Sequence, residues 1–536
     1  MTALDLVRNY LKQSEVDYLL VNSTNKFLVE YNTLDANSRY KLTGFSGSTG
    51  DALVSADECM LFVDGRYHIQ ADLEVDRECV EVVKLQTGDT FLNKIVERIP
   101  ENSMLGIFSE KNSMLRVESL MKALEKKNSK VRILDNDPLD DEIQSAERVV
   151  ESVPVELAGF SAFEKFERIS SILEDNQAFL ITNLEEVSYL CNLRSYSVPF
   201  ASQIYGKVLV LKDRAVLFTD EQIENFDAFD VKKYAEFENY ISGLAEIKIF
   251  VDKSSLNAHD YFVMADKCEF IQNSPVKLMK SVKTNAEINH YKKAFEATDK
   301  TMFAIREFIE NNDNISEFDI AQKLEEEFYR FGAKGLSFKP IVAKDRNSAL
   351  AHYSKSSKDE ILSDGSLVLI DCGAYYEGGL ATDITRVFVK GEPSQLQKQV
   401  YTTVLKMFLN SYNFSAEKIA GYDVDNLARE IYSHNNIDGF VFNHGLGHGI
   451  GVSVHEMPPN LSKNEIAKGV IQNNMCFTIE PGLYNEKHFG VRLENSCCLA
   501  GGKITSFVKM CYEKKLIDFS MLSEVEKQWL ANFEVL

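Results

Sequence analysis

Five residues in the last third of the chain, Asp371, Asp383, His448, Glu480 and Glu494, have the types and spacing of a two-metal hydrolytic site. Four carboxylates and one imidazole bring four negative charges together, which suits two divalent cations and is costly to bury without them. Metals about 3.5–4 Å apart can share a water, lower its pKa and present hydroxide near neutral pH. Carboxylate-rich ligation with a single imidazole favours the harder ions, Mn²⁺ first, while Zn²⁺ and Co²⁺ also fit such donors.

The flanking residues indicate the elements that must hold these groups. Asp371 ends the apolar run Leu367, Val368, Leu369, Ile370, and Asp383 opens the strand-like run 383–389. Eleven residues separate the two acids and include Gly378 and Gly379. A glycine pair between strand-like runs predicts a hairpin that brings the acids together. His448 lies in the glycine-rich segment 444–448, and Glu480 heads Glu-Pro-Gly after an apolar run. In 491–494 a period of two puts Arg492 and Glu494 on one face and Val491 and Leu493 on the other. Cys372, beside Asp371, reads as a buried apolar thiol rather than a ligand.

A chain of 536 residues is too long for one core and predicts two to four domains. The net charge of −22 argues against nucleic acid and anionic membranes as partners. The N-terminus reads as an amphipathic helix without a secretory h-region, and no apolar run is long enough to span a membrane. Nine dispersed cysteines without a Cys-x-x-Cys fit reduced thiols in a cytoplasmic setting. Polar, Pro-containing stretches at 135–141 and 272–275 mark two breaks, and no solenoid-type repeat is found. Before the second break, strand-like runs at 51–55, 60–63, 178–182 and 206–211 alternate with helical patterns, which is α/β text. From 285 to 331, apolar spacings of three and four predict two amphipathic helices. After Gly365 the sequence reads as strand-rich, so this part is expected to be α+β.

With these residues in view, the chain resembles the aminopeptidase P (Xaa-Pro aminopeptidase) family in its long, three-domain form. Its catalytic segments are similar to the pita-bread metallopeptidases of family M24, which include prolidase and methionine aminopeptidase. Segments 39–50 and 62–67 resemble the first domain of that form, 183–194 a signature of its second, and 515–532 its C-terminal extension. The resemblance implies creatinase-like α/β domains at 1–140 and 145–278. A pita-bread catalytic domain follows at 283–536, with an extension from about 505.

It also implies roles. Asp371 would hold one metal, His448 and Glu480 the other, and Asp383 and Glu494 both, with Glu480 also managing the proton of the bridging water. His352 matches a substrate-contacting histidine and His455 one beside the scissile carbonyl, where a donor stabilises developing charge. His444 resembles a wall of the substrate pocket. Arg492 is expected to orient carboxylates on the substrate side. Tyr484 stays open between a site tyrosine and a core one, and Arg66 between a role beside the site and a structural salt bridge. The expected activity is removal of the residue preceding proline at a peptide N-terminus. A prolidase-type dipeptidase and a non-catalytic pita-bread binding protein are the alternatives. A homodimer is expected, with the amphipathic tail 521–533 and its Trp529 a candidate for packing it.

Overall fold

The computed structural model describes residues 2–534 except 87, 141–147, 272 and 354. The expected start of a second domain at residue 145, and Gln272 of the second break, lie outside the described residues. Two compact units are formed, one from residues 1–150, 162–191 and 204–276, the other from 151–161, 192–203 and 277–536.

The first unit holds two six-stranded sheets. One runs Glu81–Lys84, Cys59–Val63, Asp51–Val54, Tyr18–Val21, Met104–Phe108, Lys130–Leu134 from edge to edge. The other runs Asp230–Lys232, Ala215–Phe218, Lys207–Val210, Gln177–Ile181, Lys248–Asp252, Cys268–Ile271. Counted along the chain, both have the order fourth, third, second, first, fifth, sixth. Both also show the same succession of parallel and antiparallel pairs. The unit is therefore built on one α/β topology used twice, a repetition carried by the fold with no visible repeat in the sequence. The predicted strands are present in both sheets. In the first sheet successive residues feed opposite faces: Leu19 and Val21 enter one core cluster and Leu20 another. Burial on both faces is why these runs are uniformly apolar.

In the second unit the two predicted helices span Asn285–Asn311 and Glu317–Arg330. Each starts at a capping box, Thr284 with Glu287 and Ser316 with Asp319, in which side chains satisfy the free N–H groups of the first turn. A three-stranded antiparallel sheet follows, with Leu367–Cys372 between Ile341–Lys344 and Ile384–Val389. The strand-rich expectation after Gly365 is incomplete, because helices Gln395–Tyr412 and Gly421–His434 interrupt it. The signal was available: Ser394 and Gln397 form a capping box, and Val400, Val404 and Phe408 recur at a spacing of four on the buried face. A second sheet contains Cys476–Ile479, Asn495–Ala500 and Lys503–Ser506, beside the hairpin of Gly482–Tyr484 with Gly490–Arg492.

One core of this unit joins both sheets and the Gln395–Tyr412 helix through Leu369, Val387, Val404, Phe408, Phe477 and Leu493. Trp529 and Phe533 pack against the same core, and Asn410 donates to Glu526 at 2.9 Å. Trp529 is thus engaged in part by its own chain.

Candidate metal centre

The hairpin forms as expected. Asp371 lies opposite Thr385 and Cys372 opposite Ile384, so Asp371 and Asp383 are diagonal neighbours on one face. The turn runs through Gly378 and Gly379, both at positive φ (90° and 67°), where a side chain would be strained. Cys372 is buried with its thiol against Met302 Sδ at 3.3 Å, as expected of an apolar thiol.

His448 sits on the short strand Gly447–His448, paired with Asn460–Leu461. Gly447 is required there, because a Cβ would collide with the Thr478 carbonyl. His448 Nδ1 faces the Gly449 carbonyl at 3.0 Å. A proton on Nδ1 leaves the Nε2 lone pair for a metal. That Nε2 lies 3.6 Å from Asp383 Oδ2 and 3.7 Å from Glu480 Oε1. Asp383, His448 and Glu494 each offer a ligand atom within 4.8 Å of the others. Glu494 is anchored as Thr385 Oγ1 donates to its Oε2 at 2.7 Å.

Arg492 organises the remaining carboxylate. Its guanidinium donates to Asp371 Oδ2 at 2.6 Å, Thr385 Oγ1 at 3.1 Å and Tyr484 Oη at 2.8 Å. The alternation predicted for 491–494 holds: Val491 and Leu493 enter the core while Arg492 and Glu494 face the centre. Tyr484 also meets His444 Nε2 at 2.9 Å, so this buried tyrosine links Arg492 to His444. Burial pushes its hydroxyl up to about 12, so it stays protonated. The His455 ring packs edge-on to that of His448, centroids 4.6 Å apart. His352 is half-buried in the turn after the helical segment Asp345–Ala349. Ser348 ties that segment to the Arg492 hairpin, accepting from Gly490 N–H at 2.8 Å and donating to its carbonyl at 3.0 Å. Arg66 belongs to the first unit, where Asp64 takes its guanidinium at 2.7 and 2.9 Å and Thr49 at 3.0 Å.

The carboxylate oxygens provide the test of metal fit. Asp371 Oδ1, Asp383 Oδ1 and Glu494 Oε1 are buried without a hydrogen-bond partner among the described residues. Buried polar atoms are nearly always paired, and an unpaired buried carboxylate is among the costliest exceptions. The strain is visible in protonation: burial and repulsion by Glu494, Asp371 and Glu480 raise Asp383 well above the carboxylate range. Burial and Asp371 push Glu494 up to about 8. Oxygens left open on three acids around an imidazole lone pair fit divalent cations, which Asp371, Asp383, His448, Glu480 and Glu494 would hold.

Thr385 and Arg386 were missed by sequence reading. Thr385 had a signal, since it lies two residues after Asp383 on the same strand face. Arg386 had none. Its five N–H groups go to the carbonyls of Cys511 (3.2 Å), Thr385 (2.9 Å), Glu494 (2.7 Å) and Met510 (2.7 Å) and to Asn495 Oδ1 (2.8 Å). It ties the backbone at Glu494 to the C-terminal segment.

An antiparallel β-structure bearing this ligand set, preceded by two α/β sheets, defines a metallohydrolase of multi-domain type. Residues 289–499 match metallopeptidase family M24, and residues 4–141 and 141–287 each match a creatinase/prolidase N-terminal domain. The chain is 29% identical to an uncharacterised peptidase of Schizosaccharomyces pombe, covering 99% of this chain and 94% of that one. It is 27% identical to Xaa-Pro aminopeptidase 1 of Dictyostelium discoideum, covering 99% and 91%. Among solved structures, X-prolyl aminopeptidase of Caenorhabditis elegans, described as a cytosolic enzyme with a di-nuclear active site, shares the fold. The TM-score is 0.89 at 23% identity, covering 99% and 95%. A prolidase from Pyrococcus horikoshii matches with TM-score 0.56 and 29% identity, covering 66% of this chain and all of that one.

Proposed function

We propose that the protein is a metalloaminopeptidase that removes the first residue from peptides with proline in second position, using two divalent cations, Mn²⁺ before Zn²⁺ or Co²⁺. The observation that carries this reading is the trio of unpartnered buried oxygens on Asp371, Asp383 and Glu494 around His448. When bound, the cations supply Lewis-acid polarisation and a water acidified towards neutral pH. The chain's own groups do the rest. Glu480, whose side chain is 20% exposed against 13% for that of Asp371 and 6% for that of Asp383, holds the proton in transit. His455 donates to the carbonyl oxygen as charge develops. His352 and His444 contact the substrate, and Arg492 keeps Asp371 fixed to receive the free N-terminal amine.

An Xaa-Pro bond is a tertiary amide whose ring fixes the backbone and removes the N–H. Recognition therefore rests on shape and on the amine. The expected outcome is cleavage of Ala-Pro-Xaa after the first residue, no cleavage of its N-acetylated form, and much slower cleavage of Ala-Ala-Xaa. Efficient hydrolysis of Ala-Ala-Xaa with none of Ala-Pro-Xaa would overturn the specificity.

A dipeptidase reading is favoured by the identity to the Pyrococcus prolidase, but that match spans two thirds of the chain, whereas the Dictyostelium aminopeptidase is matched nearly end to end. Activity confined to Xaa-Pro dipeptides would decide for it. A non-catalytic role is disfavoured by the complete ligand set. We assign three domains, 1–140, 145–278 and 283–536. A cytoplasmic setting agrees with the free thiols, and among the described residues no helix is long and apolar enough to cross a membrane. A homodimer is the expectation from the family resemblance, read by sedimentation.

A further inference from the structure

Next to His455 the chain buries an ion cluster that none of the roles above uses. Glu456 and Lys280 are each 1% exposed and Lys283 is 3%. Lys283 Nζ donates to Glu456 Oε1 at 2.6 Å, and Lys280 Nζ lies 3.4 Å from Oε2. The Val452 N–H donates to Oε2 at 2.7 Å. Burial alone would raise the Glu456 carboxyl, but the two ammonium groups bring it down to about 2, so it is ionised at neutral pH.

The same residue cinches a loop. The Glu456 N–H donates to the Gly449 carbonyl at 2.8 Å. A Cβ at Gly449 would collide with the Glu456 carbonyl, and one at Gly451 with its carboxylate. Segment 449–456 is thus folded tightly on Glu456, beginning beside His448 and ending one residue past His455. The lysines are themselves fastened to the strand that leads to Glu480. The Lys283 N–H donates to the Asn474 carbonyl at 3.0 Å, and Val282 bridges to Met475.

A buried ion cluster is a poor route to stability, because apolar side chains of similar volume serve as well or better. What it does supply is one loop conformation, since the charged carboxylate has low energy only where both ammonium groups and the Val452 N–H meet it. We propose that Glu456, clamped by Lys280 and Lys283, is a positioning residue that holds His455 against the metal centre. The proposal rests on the role given to His455 above.

The test is a double-mutant cycle read by steady-state kinetics on Ala-Pro-Xaa, with metal content measured on every variant. Glu456→Gln keeps the volume and removes the charge. It is expected to lower kcat about ten- to a hundredfold, the scale of a misplaced catalytic group, with KM within about twofold and full metal content. In the His455→Ala background the same change is expected to cost less than about twofold, because the group it positions is gone. Lys283→Met is expected to behave alike and serves if Glu456→Gln does not fold. An equal loss with and without His455, or lower thermal stability with unchanged kcat in the folded fraction, would overturn the proposal. Wild-type turnover in His455→Ala alone would overturn the role of His455 and this inference with it, while cleavage specificity for Ala-Pro-Xaa stays separately measurable.

Discussion

In the first unit Lys207 and Asp260 are 3% and 4% exposed, and the ammonium reaches both carboxylate oxygens at 2.7 and 2.6 Å. The rings of Tyr234 and Phe237 lie over the same ammonium at 4.4 and 3.9 Å. In the second unit Asp383 and Glu494 are buried as deeply, at 4% and 1%, yet each keeps an oxygen that no group among the described residues satisfies. One buried charge is closed within the fold and the other is held open for something that arrives. Depth of burial does not separate structure from site. What separates them is whether the hydrogen-bond and charge accounts close inside the chain.

Breaking the open member should have the largest effect. Glu494→Ala, or chelation of the wild-type protein, is expected to abolish peptidase activity, and elemental analysis of the variant should find the metal pair missing. Full activity in a metal-free sample would refute the centre. The closed member should fail differently. Lys207→Met is expected to cost about 3–5 kcal/mol in denaturant unfolding because it strands Asp260, while Lys207→Met combined with Asp260→Leu regains most of that loss. Turnover per folded molecule should not change in either variant. Thr385→Val tests the support of the open group by removing the hydroxyl that donates to Glu494 and accepts from Arg492. Metal affinity is expected to fall about 10–100-fold with the fold intact, read by titration of the metal-free protein.

Protonation sharpens the contrast more gently. Glu494, at about 8 without metal, binds a proton on folding, so it contributes stability fully present below about 4.5 and lost as pH rises through 8. Metal must displace that proton, so Mn²⁺ should raise Tm more at pH 8 than at pH 6. Glu456 has the opposite sign. Held at about 2, it contributes stability above about 4.5 that is lost as pH falls towards 2. Thermal melts of Glu456→Gln and wild type at pH 7 and pH 3 check it, and the gap between them should narrow at the lower pH.

Much of this was legible before the structure. The five candidate ligands stood out because carboxylates at the ends of apolar runs, with a histidine in a glycine-rich segment, are unusual and local, and the hairpin was marked by its glycine pair. Arg492 followed from a period of two. The supporting groups were not legible, for physical reasons. Thr385 and Arg386 act through contacts with residues more than 100 positions away, and Lys283 reaches Glu456 across 173. No periodicity encodes such pairings. The Gln395–Tyr412 helix was overlooked although its capping box was in plain view, because strand-like runs on either side dominated the reading. The doubled sheet topology was invisible because backbone order constrains hydrophobic pattern far more than residue identity.

Arg386 has a consequence for how the protein is made. Two of its five acceptors are the carbonyls of Met510 and Cys511, and Asp299 receives its two backbone donors from Lys509 and Met510 at 2.9 Å each. Synthesis runs from the N-terminus, so all five ligands have been translated before the residues that close these bonds. A chain released at residue 507 would carry every ligand and still leave Arg386 and Asp299 buried without those partners. Such a fragment is expected to fail in retaining metal during gel filtration while the full chain succeeds. The contacts made by residues 509–511 are thereby expected to decide how firmly metal is held, although none of these residues is a candidate ligand.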